Sequence, residues 1–383
     1  MRVRPGVVAA LLVTSLSLAA CGGGSSDETT GSADGGSSGA KDVASLQKVI
    51  DQYTAEPTFT APGPAIDPAK VKGKTVFNIP DSSGNPFATA VAKSEEAAAK
   101  LLGINFINCT NQGQVTQWVT CYNQAIQRKV DVINDFGGAD PRQLGPQIAA
   151  AQKAGIEVVG HNVYGFSQKP VGLKYSVPTP YEKAGELMGT WVALDTKRDA
   201  NALVITSNEV LATKPIVDNI KAVFDKECPG CKLTMVNVPV KDWSTKIQSE
   251  VQSAMVRDPK LNYVVPIYDS MTQFVVPAIT TAAKTDKVHV ATFNGTPFVL
   301  KYMQEGDIVR MVVGESLDWI GYAFMDTDAR LLAGLGLPEI FDAKIPLRIF
   351  TKDNVDEAGS PPAVSTGYGD SYISGYKQLW GLS

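Results

Sequence analysis

The chain has 383 residues, of which 44% are hydrophobic, and its formal net charge at pH 7 is −4. That length is sufficient for two domains with buried cores. The slightly acidic balance provides no electrostatic reason to expect a nucleic-acid partner. No stretch after residue 21 is apolar enough to span a bilayer.

The first 21 residues resemble a bacterial lipoprotein signal peptide. Two arginines within the first four residues precede an apolar stretch over residues 7–18, and residues 18–21 read Leu-Ala-Ala-Cys. The resemblance implies that Cys21 is lipidated and becomes the new N-terminus. An ordinary secretory signal with a small-residue cleavage site is the alternative. Residues 22–40 are rich in Gly and Ser and predict a flexible tether.

Four further cysteines, an even number in an exported chain, suggest disulfides. Cys109 ends a predicted strand and Cys121 lies in the helix that follows, so a local bridge is geometrically reasonable. Cys228 and Cys231 form a CxxC motif after a predicted helix, where no helix N-terminus lowers a thiol pKa. Only two histidines are available for a zinc site. We therefore favour a second structural disulfide over a redox or zinc site, and we expect no metal.

Residues 74–103 predict a strand, a loop and a helix. Residues 75–79 are short, apolar and β-branched, as in a buried parallel strand. Asn85 is a suitable N-cap, and Pro86 suits the first helical position. The polar loop of residues 81–85 therefore follows the carboxyl end of a strand, which is where open α/β sheets bind ligands.

The same unit recurs along the chain. Further strands are predicted at residues 104–108, 131–134, 156–160, 171–177, 202–206, 233–238, 263–267, 288–293, 308–313 and 345–350. Helices are predicted at residues 43–53, 115–129, 141–155, 181–194, 215–226, 242–257, 270–283 and 317–335. This alternation predicts an α/β fold with two similar doubly wound parallel-sheet lobes. The proline-rich residues 56–68 predict an extended segment on the surface.

Three motifs in this order carry a resemblance to a known family. They are Asn85-Pro86-Phe87, residues 154–159 (Ala-Gly-Ile-Glu-Val-Val) and residues 293–297 (Phe-Asn-Gly-Thr-Pro). Over residues 73–353 the chain resembles the periplasmic sugar-binding proteins of ABC importers, in the ribose/galactose-binding group with the type I fold. The resemblance implies two lobes joined by a three-segment hinge, with the ligand between them. The crossings are expected near residues 177–179, 313–316 and 337–346.

The predicted domain organisation follows from these crossings. Residues 1–21 form the signal peptide, and residues 22–72 form the tether and the extended N-terminal segment. The first lobe takes residues 73–177 and 315–337. The second lobe takes residues 178–314 and 338–383, including a C-terminal tail.

The resemblance also implies a set of ligand-binding residues at matching positions. They are Asn85, Phe87, Asp135, Phe136, Asn162, Lys214, Trp243, Tyr268, Asp269, Asn294 and Glu315. Several positions depart from the family. Asn162 and Asn294 stand where the family has aspartates, so mixed donors and acceptors replace acceptor-only groups. Lys214 stands where the family has arginine, which offers a bidentate fork that lysine lacks. Gly314 stands where the family has glutamine.

Alternative roles remain open for some of these residues. Trp243 is interpreted as a stacking surface for the ligand, although it could cap a helix. Phe87 could belong to the core of its helix, and Tyr268 could pack without touching the ligand. His161 is interpreted as a buried structural histidine rather than a ligand contact. Trp118, Trp319 and Trp380 are interpreted as packing residues.

The expected function is that of an extracytoplasmic solute-binding lipoprotein. It would capture a sugar or sugar-like polyhydroxylated compound by hinge closure and deliver it to an ABC permease, as a monomer without a cofactor. It would be attached only by its lipid to the outer face of the bacterial cell membrane. A ligand-sensing receptor that signals to a membrane partner is the alternative. The sequence contains no G-x-S-x-G elbow, no P-loop, no HExxH motif and no cysteine–histidine arrangement, so an enzyme is not expected.

Overall fold

The computed structural model describes residues 43–137 and 140–382, and the predicted signal peptide, Cys21 and the tether lie outside them. The first lobe is built on a sheet of five parallel strands. These are β1 (Thr75–Pro80), β2 (Asn105–Asn108), β3 (Val132–Phe136), β4 (Glu157–His161) and β5 (Tyr175–Val177). Their order in the sheet is β2-β1-β3-β4-β5.

The second lobe is built on a sheet of six strands. These are β6 (Asn201–Thr206), β7 (Lys232–Asn237), β8 (Tyr263–Pro266), β9 (His289–Asn294), β10 (Val309–Glu315) and β11 (Leu347–Thr351). Their order is β11-β10-β9-β8-β6-β7. All neighbours are parallel except β11, which runs antiparallel to β10 at the edge. This strand enters from a crossing segment instead of a helix, so no right-handed crossover dictates its direction.

The described residues contain eleven α-helices. They are α1 (Ala44–Asp51), α2 (Pro86–Leu102), α3 (Val115–Arg128), α4 (Gly145–Lys153), α5 (Tyr181–Asp195), α6 (Thr213–Glu227), α7 (Trp243–Arg257), α8 (Asp269–Thr281), α9 (Pro297–Glu305), α10 (Leu317–Leu332) and α11 (Ser371–Leu379). The two-lobed α/β prediction is confirmed, but helices α9 and α11 were not predicted. Among the described residues, no helix has both the length and the apolar character needed to cross a membrane.

Helix α2 begins and ends where its sequence predicts. The Asn85 side chain accepts a hydrogen bond from the Phe87 backbone N–H at 3.0 Å, and Pro86 occupies the first turn. Gly103 ends the helix in the left-handed conformation with φ 68°. A side-chain cap of this kind stabilises a helix by about 1 kcal/mol.

Each face of the first sheet is covered by helices, which explains the doubly wound pattern. Val76 points to the face covered by α2 and α10, whereas Phe77 points to the core beneath α3 and α4. This alternation is the period of two expected for a strand. Helix α10 packs closely on α2, because a Cβ on Gly321 would come within 2.6 Å of the Ser94 Cβ. The position therefore requires glycine.

The chain passes between the lobes at the three places where crossings were expected. Strand β5 is followed by α5, which belongs to the second core, and β10 is followed by α10, which belongs to the first. Ile340 pairs with Ser176 at the edge of the first sheet before β11 joins the second sheet.

The terminal segments differ from the predicted organisation. The tail was assigned to the second lobe, but α11 packs in the first-lobe core, where Tyr372 stacks on Trp319 at 5.1 Å and Trp380 stacks on Tyr322 at 5.7 Å. Conversely, α1 packs against α5 in the second lobe. Residues 53–66 connect it to the first lobe. Aromatic spacing alone cannot indicate which lobe such a segment covers.

Two close cysteine pairs lie one in each lobe. The Cα atoms of Cys109 and Cys121 are 6.0 Å apart, and those of Cys228 and Cys231 are 5.3 Å apart. Both separations lie within the range that a disulfide spans.

Candidate functional site

The polar loop after β1 is the first part of the candidate site. Asn85 Nδ2 donates to Asp81 Oδ2 at 2.8 Å, and the Ser82 backbone N–H donates to Asp81 Oδ1 at 2.6 Å. Burial raises the pKa of Asp81 to about 6, although these two hydrogen bonds oppose the change. Asn85 therefore both caps α2 and holds Asp81, which leaves it less free for a ligand than the sequence suggested.

Asn162 directly follows β4 and points toward the second lobe. Its backbone has φ 61°, and its carbonyl oxygen accepts a hydrogen bond from the Tyr181 hydroxyl of α5 at 2.8 Å. Its side chain is buried, and Oδ1 has no partner among the described residues. The first lobe thus presents a free acceptor at the contact between the lobes.

The predicted aromatic residues of the first lobe lie in its core. Phe136 is buried and packs 6.0 Å from Phe87 and 5.5 Å from Phe324, measured between ring centroids. This arrangement agrees with the core alternative for Phe87. Asp135 is also buried, and its Oδ2 accepts a hydrogen bond from the Tyr122 hydroxyl at 2.9 Å. Burial raises the pKa of Asp135 to about 7.

Trp243 and Tyr268 form the aromatic part of the second lobe. Their ring centroids are 6.4 Å apart, and both rings are half-buried. Trp243 Nε1 donates to Ser207 Oγ at 2.8 Å and to the Val238 carbonyl at 3.1 Å. These bonds fix the indole at the carboxyl ends of β6 and β7.

Three predicted residues, Asp269, Asn294 and Glu315, form the floor of the second lobe. Asp269 Oδ2 accepts from the N–H and the hydroxyl of Thr296 at 2.7 and 2.6 Å. Asn294 Nδ2 donates to Glu315 Oε1 at 3.0 Å, whereas Glu315 Oε2 has no partner among the described residues. Burial raises the pKa of Asp269 to about 7 and that of Glu315 to about 8.

Tyr368 joins this floor, although the sequence analysis did not identify it. Its hydroxyl lies against Gly295 and Gly314, so a Cβ on Gly295 would come within 2.5 Å of that oxygen. The oxygen is buried and has no described partner. Burial raises the pKa of Tyr368, and the charges of Glu315 and Asp269 raise it further. The tyrosine thus occupies space beside Gly314, where the family has glutamine. No local signal marks Tyr368, because it follows β10 by more than fifty residues.

Two residues considered in the sequence lie away from this floor. The Lys214 side chain is 76% exposed and pairs with Asp218 at 2.5 Å on the surface of α6. His161 is buried, with Nε2 3.2 Å from Asp328 Oδ1 and its ring 4.2 Å from that of Phe324. This interior position agrees with the structural interpretation of the histidine.

The lobes touch each other beside the site. Gln168 Nε2 in the first lobe donates to the Leu211 carbonyl in the second at 2.9 Å. The backbone N–H groups of Phe166 and Ser167 donate to the Glu182 carboxylate at 3.2 and 2.8 Å. Polar side chains at the strand ends of the two lobes therefore lie near the contact between the lobes. Burial raises the pKa of Tyr181, and the charges of Glu315 in the second lobe and Asp81 in the first raise it further. Ligands of open α/β sheets usually bind at the carboxyl ends of the strands.

Comparison with known proteins agrees with this arrangement. Residues 76–335 match the family described as the periplasmic binding protein domain. A 5-methylthioribose transporter solute-binding protein from Thermotoga lettingae, solved with 5-methylthioribose, is 18% identical, with a TM-score of 0.69. That match covers 82% of this chain and 99% of the other. A comparison with curated proteins found no match.

Two further solved structures share the fold. An ABC transporter solute-binding protein from Agrobacterium vitis, bound to α-D-tagatopyranose, is 19% identical over 78% of this chain and 100% of its own, with a TM-score of 0.68. One from Mycobacterium smegmatis, with bound glycerol, is 23% identical over 76% and 98%, with a TM-score of 0.66. The chain therefore has the type I periplasmic binding protein fold.

Proposed function

Because the chain belongs to the periplasmic binding protein family, we propose that it is an extracytoplasmic solute-binding protein of an ABC importer. It captures a small polyhydroxylated compound, a sugar or a sugar-like molecule, between its lobes and delivers it to the permease. One observation carries this proposal. Asn162 Oδ1 in the first lobe and Glu315 Oε2 in the second are buried oxygens without a described partner, and Tyr181 lies beside both residues. Its hydroxyl donates to the Asn162 carbonyl at 2.8 Å, and the charge of Glu315 acts on its pKa.

The chemistry of the cleft suits a ligand with several hydroxyl groups. Asn294 and Asn162 offer amide groups, Asp269 and Glu315 offer carboxyl groups, and Trp243 offers a flat apolar face. Sugars combine hydroxyl donors with apolar ring faces, so this pairing favours them. The solved structures described above hold 5-methylthioribose, tagatopyranose and glycerol in the same fold.

Ligand binding in this arrangement favours closure of the lobes. The contacts of Gln168 with Leu211 and of Tyr181 with Asn162 both join one lobe to the other. A ligand that touches both lobes has differential affinity for the closed form and shifts the population toward it. The closed surface is then what the permease recognises.

A thermal-shift screen against sugars, polyols, nucleosides and amino acids tests the ligand class. A ligand at 100 times its Kd should stabilise the protein by about 2.7 kcal/mol. Calorimetry with the best ligand should then show that Trp243→Ala weakens binding at least about tenfold, since central aromatic anchors typically contribute 2 kcal/mol or more. Asn85→Ala should weaken binding too, but it also removes the cap of α2.

Trp191→Ala is the matched control for the tryptophan. Trp191 is half-buried as well, and its Nε1 donates to the Tyr263 hydroxyl at 2.8 Å, at the opposite ends of the strands from the cleft. Its loss should lower stability and leave affinity unchanged. If Trp243→Ala binds as tightly as the wild type, or if only nucleosides or amino acids stabilise the protein, the proposal is wrong.

We also propose that Cys21 is lipidated and anchors the protein. Cys21→Ala should release the protein from the membrane fraction while leaving its thermal unfolding unchanged. Retention of the variant in that fraction with lipid attached would contradict this.

The close cysteine pairs are proposed to be disulfides, Cys109 with Cys121 and Cys228 with Cys231. Both disulfides close short loops, so each should contribute only about 1–3 kcal/mol to the free energy of unfolding by the chain-entropy estimate. Peptide mapping without reductant should recover both pairs. Free thiols, or a cross-pair such as Cys109 with Cys228, would contradict the pairing.

A further inference from the structure

The candidate site contains buried oxygens without a hydrogen-bond partner, two in the second-lobe floor and one at the adjoining end of the first lobe. Glu315 Oε2 and Asn162 Oδ1 have no hydrogen-bond partner within the described residues, nor does the Tyr368 hydroxyl. All three side chains are buried, with exposures of 0%, 6% and 1%. A buried polar atom without a partner is unfavourable. A ligand placed here would relieve this mainly by donating hydrogen bonds.

The same floor carries acid groups without a compensating cation. The groups that shift the pKa of Glu315 are its own burial, Asn294 and the like charge of Asp269. Those acting on Asp269 are burial and hydrogen bonds from Thr296, Gly295 and Ser270. No lysine or arginine is among them.

Two basic residues that could be expected near the floor are engaged elsewhere. Lys214, at the position where the family has arginine, points to solvent and pairs with Asp218. Arg348 lies close enough to Tyr368 to influence its pKa, but its guanidinium binds Glu357 and the carbonyls of Thr54 and Gly367. Neither side chain neutralises Glu315 or Asp269.

Two buried carboxyl groups without a cation can remain neutral only by holding protons. Burial raises their pKa values to about 7 and about 8, which favours the protonated forms of these carboxyl groups near neutral pH. A neutral polyol would donate hydrogen bonds but would leave this charge balance unchanged. A protonated amine offers up to three donors together with a positive charge, so it allows the carboxyl groups to ionise.

We propose that the ligand of this cleft carries a protonated amino group beside its hydroxyls, as an amino sugar or an amino polyol does. The inference rests on the proposed function and narrows its ligand class. The amino group would lie against Glu315 and Asp269, within reach of the Tyr368 hydroxyl. The hydroxyls would lie toward Asn294 and the first lobe, and the Trp243 and Tyr268 rings supply faces that also attract cations.

Matched ligand pairs test the proposal on the purified protein by titration calorimetry at pH 7. The pairs are D-glucosamine with D-glucose, D-galactosamine with D-galactose, and 1-amino-1-deoxy-D-glucitol with D-glucitol. In at least one pair, the amine should bind at least about tenfold more tightly than its neutral partner, equivalent to 1.4 kcal/mol. Repeating the titration in buffers of different ionisation enthalpy should show that amine binding releases protons.

Substitutions of the two acidic residues test whether they cause the preference for the amine. Glu315→Gln and Asp269→Asn should each reduce the preference for the amine severalfold and reduce the proton release. Glu305→Gln is the matched control, because its side chain is 62% exposed in a surface pair with Lys301 on α9. This control should change neither the preference nor the proton release.

The outcomes separate this inference from the proposed function. If the neutral partner binds as tightly as the amine in every pair that binds, the inference is wrong and the polyhydroxylated ligand stands. If the thermal-shift screen finds a neutral sugar or polyol that binds while its amino counterpart and every amine of these pairs do not, the inference is wrong and the polyhydroxylated ligand stands. An amine preference that survives intact in both variants would overturn the assignment to Glu315 and Asp269.

Discussion

Both lobes bury a cluster of polar and acidic side chains, but the two clusters lie at different places in their sheets. The first-lobe network comprises Glu95, Asn134, His161 and Asp328, between the sheet and helices α2 and α10. Asn134 Nδ2 donates to Glu95 Oε1 at 3.0 Å and to Asp328 Oδ2 at 2.8 Å. The second-lobe floor of Asp269, Asn294, Glu315 and Tyr368 lies instead around the carboxyl ends of β8, β9 and β10.

The difference shows that burial and an unpartnered oxygen do not by themselves identify a ligand site. Glu95 Oε2 also lacks a described partner, and burial together with the charge of Asp328 raises the Glu95 pKa well above its usual value. However, α10 packs against Glu95 so closely that a Cβ on Gly321 would come within 2.7 Å of the Glu95 backbone nitrogen. The network is closed by helices, whereas the floor faces the other lobe.

The substitution expected to reduce stability most lies in the first lobe. Arg330 Nε donates to Asp326 Oδ2 at 2.7 Å, and both side chains are buried. Arg330→Met should lower the free energy of unfolding by about 3–5 kcal/mol, because the buried Asp326 carboxyl group loses its cationic partner. Urea unfolding measures this loss, and Lys100→Met is the control, since Lys100 and Glu96 form an exposed pair. Ligand affinity should stay unchanged, and a tenfold loss of affinity in Arg330→Met would contradict the separation of the two clusters.

Asn134→Leu should have the next largest effect. The substitution removes the donor that Glu95 and Asp328 share, so both carboxyl groups lose a hydrogen bond in the interior. We expect a loss of about 2–3 kcal/mol in urea unfolding. Asn105→Leu is the control on an exposed side chain of the same type. A variant as stable as the wild type would show that the network contributes little.

The free energy of unfolding of the ligand-free protein should depend on pH through the acids of the second-lobe floor. The pKa of Glu315 is raised from 4.5 to about 8 in the fold, so the folded state holds this proton more tightly than the unfolded chain does. Stability should therefore fall as pH rises, by about 2 kcal/mol between pH 5 and pH 7 for this group. Burial raises the pKa of Asp269 to about 7, so Asp269 reinforces the direction.

Thermal unfolding across this pH range measures the effect, and Glu315→Gln should flatten the curve. Glu95→Gln should flatten it as well, because the Glu95 pKa is also raised. Only Glu315→Gln should change ligand affinity. A curve for Glu315→Gln that falls as steeply as that of the wild type would contradict the prediction.

Tyr368→Phe should have the smallest effect on stability. Its hydroxyl has no described partner, so its removal should change the free energy of unfolding by less than about 1 kcal/mol while ligand affinity falls severalfold. Tyr263→Phe is the control in the same lobe, because the Tyr263 hydroxyl donates to Asp195 Oδ2 at 3.0 Å. That control should lose stability and keep its affinity. If Tyr368→Phe lost stability and kept its affinity, Tyr368 would not belong to the site.

The candidate site could be predicted from the sequence only in part. Asp269, Asn294 and Glu315 were identified at positions that match the family, and the structure places them together. Lys214 was selected by position in a motif, but its long side chain extends to solvent. Whether a residue near a strand end points into the cleft depends on the packing of the following helix, which short motifs do not encode.

The sequence by itself determined the order of strands and helices and the start of α2 at Asn85. These features depend on hydrogen bonds and apolar periodicity within a few residues. The tertiary structure alone decided that α11 covers the first lobe, that α1 covers the second, and that Tyr368 reaches the floor. These placements depend on which apolar surfaces remain uncovered once both sheets have formed. Such long-range burial is not directional, so no local pattern of residues specifies it.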